Sequence, residues 1–372
     1  MRSSSISAHG ARLNGMTREL HHGRWNLSDL NNVETNNGKT VFSCFHCGGG
    51  STMGYKLAGF DVLGGVEIDP KMMAVYRANH NPKHSYLMGI EEFNNIPDAD
   101  LPEELFNLDV LDGSPPCSSF SFSGNRDKSW GKEKKFREGQ QKQVLDDLFF
   151  HFLNTVEKLQ PKVMVAENVK GLRCGKARGY IKAIWGRLHD LGYHLQVFDL
   201  NAKRMGVPQS RTRLFFVACR DDLNLKALHL TFEEPDITFH DATKHLPLAA
   251  CAPLSVTMHN AWAWCRAHKE IYPHNYFESK EGGGKQRSFA HAVAISNKPC
   301  PTVMAQQTVL HSKEPRFISD QEIVACQTFP EDFNFCKSSV RYICGMSVPP
   351  FMMERIAHQV DRQWLSDLSG GE

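Results

Sequence analysis

The residues best suited to covalent chemistry are a cysteine and a glutamate that each follow an apolar strand pattern. Cys117 comes directly after Pro115 and Pro116, and Glu167 directly follows Val163–Ala166. Two prolines fix the backbone, so the thiol would be held in one direction. An ionised thiol is a strong nucleophile. Ligands bind beyond the carboxyl ends of the strands in open α/β sheets, so both side chains are expected at one sheet edge.

Simpler roles compete with these. A lone cysteine is most often a small buried hydrophobe, which suits Cys219 and Cys326 better than Cys117. A carboxylate such as Glu167 is often a helix cap or one half of an ion pair.

A second candidate site is a glycine loop followed by an acid. Phe45 to Gly50 ends in three glycines, and Glu67 lies 17 residues after Gly50 at the end of the next apolar pattern. Glycines let a backbone approach a ligand closely and leave helix N–H groups free. The loop alone indicates only a tight turn. Combined with an acid that could hold ribose hydroxyls, it indicates an adenosine-containing cofactor, and the absence of GxGxxG argues against NAD.

The elements that must position these residues alternate between strand and helix. This alternation predicts an α/β fold with a doubly wound, mainly parallel, Rossmann-like sheet. Strands are predicted at 41–45, 60–68, 107–111, 163–166, 197–200 and 214–217, and helices up to Leu57, from Asp69-Pro70, at 143–159, at 178–191 and near 351–364.

Composition limits the remaining possibilities. The 372 residues suggest about two domains, and 41% hydrophobic residues are enough for a sizeable core. We find no apolar run of membrane-spanning length and no secretory signal, and eleven scattered cysteines are typical of a reduced, cytoplasm-like compartment. Cys44 and Cys47 form the one CxxC pair, so a four-thiolate zinc site is not expected, although a redox pair is possible. The net charge of +2 does not by itself identify a nucleic-acid binder.

Pattern changes along the chain predict three segments. Residues 1–38 are polar and are expected to form a loosely ordered leader. Residues 39–220 together with 316–372 are expected to form the cofactor-binding domain. Residues 221–315 have no clean period and are expected to form a smaller, irregular second domain.

Several blocks together carry a resemblance to a known family. They are Phe45…Gly48-Gly49-Gly50, Glu67-Ile68-Asp69, Gly113-Ser114-Pro115-Pro116-Cys117, Glu167-Asn168-Val169, Gln209-Ser210-Arg211-Thr212-Arg213, Gln327-Thr328-Phe329-Pro330 and Gly345-Met346-Ser347-Val348-Pro349-Pro350. In this order, from about residue 40 to 360, the chain resembles an S-adenosylmethionine-dependent DNA (cytosine-5) methyltransferase of the bacterial or phage type.

The resemblance implies a reaction and a role for each residue. A thiolate adds to C6 of a flipped-out cytosine, C5 then accepts the methyl group of S-adenosylmethionine, and loss of the C5 proton expels the thiolate. The implied catalytic residues are Cys117 as nucleophile, Glu167 at the N3 side of the ring, and Arg211 and Arg213 as braces and cytosine contacts. The implied cofactor residues are Phe45, Gly48, Gly49, Gly50, Glu67, Ile68, Ser347 and Val348, and the implied substrate residues are Pro116, Gln209, Arg126 and Lys128.

This sequence departs from the family pattern at four positions. Cys47 replaces the first loop glycine, so its backbone angles must suit an L-residue. Ile90 replaces an aspartate expected to contact the adenine, and Met205 and Met346 replace a tyrosine and an asparagine. None of these changes removes a group from the reaction.

DNA is the expected substrate. Residues 123–142 carry seven basic and three acidic side chains, which predicts a loop closing on phosphates, although a solvated loop would have the same charge. Residues 221–315 would recognise the target sequence, with Lys285, Arg287, Gln306 and Gln307 as candidate contacts. We expect a monomer that needs no metal and acts separately from any cognate restriction endonuclease. An RNA cytosine-5 methyltransferase, a DNA-binding protein without catalysis and a CxxC redox protein remain alternatives.

Overall fold

The fold is organised around one seven-stranded sheet. The computed structural model describes residues 24–34, 38–116, 147–169, 171, 177–247, 251–283, 291–305 and 309–368, together with four two-residue strands at 12–13, 16–17, 133–134 and 143–144. The sheet strands are β1 (Thr40–Cys44), β2 (Asp61–Glu67), β3 (His84–Leu87), β4 (Val110–Gly113), β5 (Val163–Val169), β6 (Tyr193–Asn201) and β8 (Thr212–Arg220). The short strand β7 (Gln209–Ser210) lies outside this sheet.

The strand order confirms the doubly wound, mainly parallel sheet. The spatial order is β6-β8-β5-β4-β1-β2-β3. In the spatial run β5-β4-β1-β2-β3, each strand is parallel to its neighbours. Strand β8 is antiparallel to both β5 and β6. The order reverses between β1 and β4, and a crevice opens at such a switch point beyond the carboxyl ends of the strands. The glycine loop and the Pro-Pro-Cys loop both begin there.

Helices cover both faces of this sheet. They are α1 (Gly50–Leu57), α2 (Pro70–His80), α3 (Ile90–Asn94), α4 (Leu148–Leu159) and α5 (Ala177–Asp190). Alternate strand residues point to opposite faces, so the core on the sheet forms two clusters, one on each face. One contains Val41, Val110, Val165 and Phe215, and the other contains Phe42, Leu111, Met164 and Phe216.

The segment after β8 contains short elements, followed by helices that return to the sheet. Its elements are α6 (Phe239–Thr243), α7 (Val256–His268), α8 (Pro273–Glu278), β9 (Ala292–Val293), β10 (Cys300–Pro301) and β11 (Val309–Leu310), followed by α9 (Asp320–Cys326), α10 (Val340–Met346) and α11 (Pro350–Val360). The 13-residue α7 was not predicted, because it buries only Ala261 and Cys265 and shows almost no apolar period. A Cβ atom at Gly54 of α1 would lie 2.6 Å from the Pro350 carbonyl oxygen, so α11 packs closely on α1.

Several regions differ from the sequence-based expectation. The helix predicted at 143–159 begins only at Leu148, after Asp147 at its N-cap position, and Gln143–Val144 instead form a strand paired antiparallel with Glu133–Lys134. Strand β4 begins at Val110 rather than at 107, because residues 103–107 form a 3₁₀ turn. Residues 24–34 of the expected loose leader are packed on the C-terminal region. Trp25 is 2% exposed, and its indole N–H donates to the Thr328 carbonyl at 3.0 Å. Burial of this indole and its hydrogen bond stabilise a segment whose composition is otherwise polar.

No helix in the described part of the chain has the length and apolar character needed to cross a membrane. Within the same residues, no group of three or more histidine, cysteine, aspartate or glutamate side chains could hold a metal ion.

Candidate active site

The glycine loop leaves the end of β1 through a run of left-handed backbone. Phe45 has φ of 56°, Cys47 has φ of 49° and Gly49 has φ of 85°. The left-handed region is costly for residues with a Cβ atom, so Phe45 and Cys47 hold a strained turn. Cys47 therefore keeps left-handed backbone angles that favour glycine, contrary to the expectation that its angles would suit an L-residue. Its thiol lies 3.5 Å from the Met72 sulfur, and both Cys44 and Cys47 are free thiols.

Glu67 ends β2 and faces this loop. Its Oε2 atom accepts a hydrogen bond from the Cys47 N–H at 3.0 Å, and its Oε1 atom accepts one from the Asp69 N–H at 3.0 Å. Burial raises the pKa of Glu67 to about 7, against the opposing effect of these N–H groups. A carboxylate oxygen has two acceptor sites, so the carboxylate can still accept hydroxyl groups from a ligand.

The C-terminal helices close the loop from the other side. A Cβ atom at Gly50 would lie 2.3 Å from the Val348 carbonyl oxygen and 2.7 Å from the Ser347 Cβ, so only glycine fits there. At Gly48 a Cβ atom would lie 2.5 Å from a methyl group of Ile343. The structure thus brings the predicted glycine block and the predicted Ser347-Val348 block into direct contact.

Phe45, in the glycine loop, and Ile68, directly after Glu67, are both partly exposed. A Cβ atom at Gly89 would lie 3.8 Å from the Ile68 Cδ1, which places the Gly89–Ile90 turn next to Ile68. Ile90, which stands where the family has an aspartate, is 5% exposed and packs in the core. This position therefore offers no carboxylate to an adenine.

The Pro-Pro segment is fixed on both sides before Cys117. The Ser114 N–H donates to the Cys44 carbonyl at 3.2 Å, and the Asn168 side-chain amide donates to the Pro115 carbonyl at 3.1 Å. Pro116 is half-buried. Cys117 lies outside the described residues, as do Arg126, Lys128, Lys285, Arg287, Gln306 and Gln307. Asn168 belongs to the Glu167-Asn168-Val169 block, but its role could not be predicted from the sequence because its partner lies 53 positions away.

Glu167 and Arg213 form a buried pair at the same edge. The Arg213 Nε atom lies 2.9 Å from the Glu167 Oε1 atom, and the two side chains are 15% and 11% exposed. Strands β8 and β5 are antiparallel with Phe215 opposite Glu167, so Arg213 is the diagonal neighbour on the same face. Burial lowers the pKa of Arg213, and the Glu167 carboxylate partly restores it. Among the described residues, nothing bonds to the Glu167 Oε2 atom, which leaves an acceptor available.

Arg211 has different partners, although it is only two residues away. It is 1% exposed and donates to the carbonyls of Val303, Gly345 and Ser347 at 2.9–3.0 Å. Burial and the nearby Arg213 charge lower the pKa of Arg211 well below its usual value. Its guanidinium is therefore bonded to backbone from the C-terminal half of the chain.

Gln209 is also committed to packing. Its side-chain N–H₂ donates to the Gln327 Oε1 at 2.6 Å and to the Cys326 carbonyl at 3.2 Å, and its Oε1 accepts from the Val303 N–H at 3.0 Å. Gln327 in turn donates to the Ser347 carbonyl at 2.9 Å. A buried network thus joins three sequence blocks that lie far apart in the chain.

The sheet order is that of a Rossmann-like fold, and the comparisons with known proteins define the family. The model of the C-5 cytosine-specific DNA methylase family matches residues 40–362. This chain belongs to that family.

Individual proteins match over similar lengths. The chain is 29% identical over 344 residues to the type II methyltransferase M1.HphI of Haemophilus parahaemolyticus, covering 86% of each chain. It is 27% identical over 372 residues to the type II methyltransferase M.DdeI of Desulfomicrobium norvegicum, covering 84% of this chain and 86% of the relative. Its fold matches a prophage-encoded Escherichia coli protein described as a DNA modification methyltransferase, with a TM-score of 0.64 and 22% identity over 88% of this chain and 99% of that chain.

These findings confirm the predicted family, fold class, activity and cofactor. The protein is a DNA (cytosine-5) methyltransferase that uses S-adenosylmethionine. The alternatives of an RNA enzyme, an inactive DNA-binding protein and a CxxC redox protein are less consistent with this family.

Proposed function

We propose that Cys117 is the nucleophile that attacks C6 of a flipped-out cytosine. The observation that carries this proposal is the fixed backbone that leads to it. Ser114 is bonded to β1 and Pro115 to Asn168 of β5, so hydrogen bonds hold the chain until two residues before the cysteine. A nucleophile held in this way reacts as though at high local concentration.

In the proposed reaction the ionised Cys117 sulfur forms a bond to C6, and the electrons of the C5–C6 double bond move toward N3. Glu167, at the N3 side, stabilises the proton there, and this leaves C5 electron-rich. Bound S-adenosylmethionine would supply the electrophilic methyl group that C5 accepts, with the sulfonium sulfur keeping the bonding electrons and leaving as S-adenosylhomocysteine. A base then removes the C5 proton, the C5–C6 double bond forms again and the sulfur leaves as thiolate.

We assign Arg213 to holding Glu167 in place for this step. Its ion pair with the Glu167 Oε1 atom leaves the other carboxylate oxygen for the cytosine. Arg211 and Gln209 were expected to contact substrate. Their donors are instead directed to buried carbonyls and to Gln327, which supports a positioning role for both.

The residues around the glycine loop fit the cofactor. Glu67 would accept the ribose hydroxyls, and the partly exposed Phe45 and Ile68 would cover the adenine. The loop Gly48–Gly50 would lie near the methionine part, with Ser347 and Val348 closing the pocket.

The substrate we propose is duplex DNA at one short sequence. The relatives carry type II names, which supports sequence-specific modification alongside a separate endonuclease. We propose that residues 39–220 and 316–372 form the catalytic domain, that residues 221–315 recognise the sequence, and that 123–142 close on the phosphates. The enzyme would act as a monomer in a bacterial or phage-infected cytoplasm, where the DNA lies.

Bisulfite sequencing of DNA from cells that express the chain tests this function and finds its target. We expect methylated cytosines in one sequence context with the natural chain, and none with Cys117→Ala produced at the same level. Purified enzyme should methylate a duplex of that sequence and leave transfer RNA unmodified. Methylation by the Cys117→Ala variant, or a preference for RNA, would refute the proposal.

A further inference from the structure

A buried carboxylate with no assigned role lies between the glycine loop and the Pro-Pro segment that precedes Cys117. Asp112 is the third residue of β4, five positions before Cys117, and it is 2% exposed. Within the described residues, no lysine, arginine or histidine pairs with it. An uncompensated buried carboxylate is costly, so its retention here needs an explanation.

Three hydroxyl groups bond to Asp112. Its Oδ2 atom accepts from the Ser43 hydroxyl at 2.7 Å and from the Ser51 hydroxyl at 2.7 Å, while its Oδ1 atom lies 3.5 Å from the Tyr55 hydroxyl. Ser43 lies on β1, and Ser51 and Tyr55 lie on α1. The strand that leads to Cys117 is therefore tied through one side chain to both elements that flank the glycine loop.

The position of these contacts relates them to the reaction. Ser43 lies two residues before Phe45, and Ser51 directly follows Gly50. Asp112 lies on the strand that ends in Ser114-Pro115-Pro116. In methyl transfer the atom that accepts the methyl group must be held against the methyl donor, so the relative position of these two segments sets the distance over which the group moves.

We propose that Asp112 is a positioning residue that fixes the Ser114–Pro116 segment, which precedes Cys117, relative to the glycine loop Phe45–Gly50 through Ser43 and Ser51. This inference rests on the proposed role of Cys117. It assigns Asp112 no contact with substrate or cofactor. Charge is not required for this role, because an amide oxygen can accept from both serines while its N–H₂ group donates to the Tyr55 hydroxyl.

The test compares Asp112→Ala and Asp112→Asn with a control at the residue that precedes the same strand. Asp109, directly before the first residue of β4, accepts from the Thr40 N–H at 2.8 Å and lies 2.7 Å from the Lys162 ammonium, away from both loops. Single-turnover methyl transfer is measured at saturating S-adenosylmethionine and target duplex, with cofactor affinity and thermal unfolding measured in parallel.

We expect Asp112→Ala to slow the single turnover by about 10²-fold, with a smaller change in cofactor affinity. Asp112→Asn should recover most of the rate, and Asp109→Ala should lose stability but keep the rate. Ser51→Ala combined with Asp112→Ala should be no slower than Asp112→Ala alone, because both remove the same link. If Asp112→Ala does not fold, Asp112→Asn and Ser51→Ala still decide the question.

Two results would overturn the inference. An Asp112→Asn variant as slow as Asp112→Ala would assign the effect to charge, and an equally slow Asp109→Ala would assign it to general stability. Covalent trapping of the natural chain on 5-fluorocytosine DNA is measured separately. If trapping fails, the proposed function fails. Hydrogen exchange of residues 44–53 and 110–116 then decides whether Asp112 links these two segments. Asp112→Ala should raise exchange in both segments, and Asp109→Ala should raise it in neither.

Discussion

The two halves of the crevice are built in different ways. The cofactor side, Phe45–Gly50 with Glu67–Asp69, depends on backbone: left-handed turns, glycine contacts and N–H groups directed at one carboxylate. The base side, Ser114–Pro116 with Glu167, Asn168 and Arg213, depends on side chains from strands distant in sequence. In the proposed mechanism the first would hold the cofactor through shape, whereas the second would hold charge beside the reacting base. We therefore expect substitutions on the base side to have the larger effects.

After Cys117→Ala, which should abolish methylation, Arg213→Ala is expected to have the largest effect. It leaves the buried Glu167 carboxylate unpaired, which costs about 3–5 kcal/mol of unfolding free energy and slows methyl transfer by about 10²- to 10³-fold. Urea unfolding and single-turnover assays measure the two effects. The control is Arg220→Ala on the same strand, whose pair with Asp222 is exposed and is expected to contribute about 0–1 kcal/mol. Equal stability losses in the two variants would remove the proposed difference.

Glu167→Gln should come next, because it keeps the shape and loses the charge that stabilises the proton at N3. We expect methyl transfer to slow by about 10²-fold, with cofactor affinity nearly unchanged. Calorimetric titration with S-adenosylmethionine and a saturating methylation assay separate the two quantities. If both fell equally, Glu167 would have a structural role.

Glu67→Gln should act on the cofactor side and mainly on binding. Hydrogen bonds to a charged group contribute about 1.5–3 kcal/mol, so we expect an affinity loss of at least about tenfold with little change in the saturated rate. Since the pKa of Glu67 is raised to about 7, the carboxylate is protonated as the pH falls below that value. The natural chain should therefore bind the cofactor less tightly below about pH 7, and Glu67→Gln should remove this dependence. A steep pH dependence in the variant would point to another group.

Cys47→Gly should give the smallest change. Glycine adopts the φ of 49° without the penalty of a Cβ atom, which is about 1–2 kcal/mol, but it also loses more chain entropy. We expect a gain of no more than about 1 kcal/mol in unfolding free energy, with methylation retained. Cys47→Ser should also methylate fully, whereas loss of activity in both variants would revive the thiol-dependent alternative.

The difference between local backbone on the cofactor side and distant side chains on the base side also explains which features could be predicted from the sequence. Strand and helix alternation predicted the sheet, and the spacing from Gly50 to Glu67 predicted two elements that do face each other. The family resemblance assigned Arg211 to bracing the site and contacting the cytosine, and Gln209 to binding the substrate. Their actual partners, among them Val303, Gly345 and Gln327, lie about 90 to 140 residues away and leave no local pattern.

Other features were missed for the same reason. Asn168 and Asp112 act across strands, and only the sheet order brings their partners near. Trp25 lies in a polar stretch, and its burial depends on Thr328 and Phe351 in the C-terminal region. Periodicity describes the face that an element buries, but it does not identify the partner on which the element packs.

The proposed mechanism depends most on the sulfur of Cys117, and covalent trapping tests the role of this sulfur most directly. A duplex that carries 5-fluorocytosine in the target sequence is incubated with enzyme and S-adenosylmethionine, digested and analysed by mass spectrometry. Fluorine cannot leave C5 as a proton does, so the adduct should persist. We predict one modified peptide, with the nucleotide on Cys117, and none from Cys117→Ala. A nucleotide on another residue, or an unchanged yield from Cys117→Ala, would contradict the account.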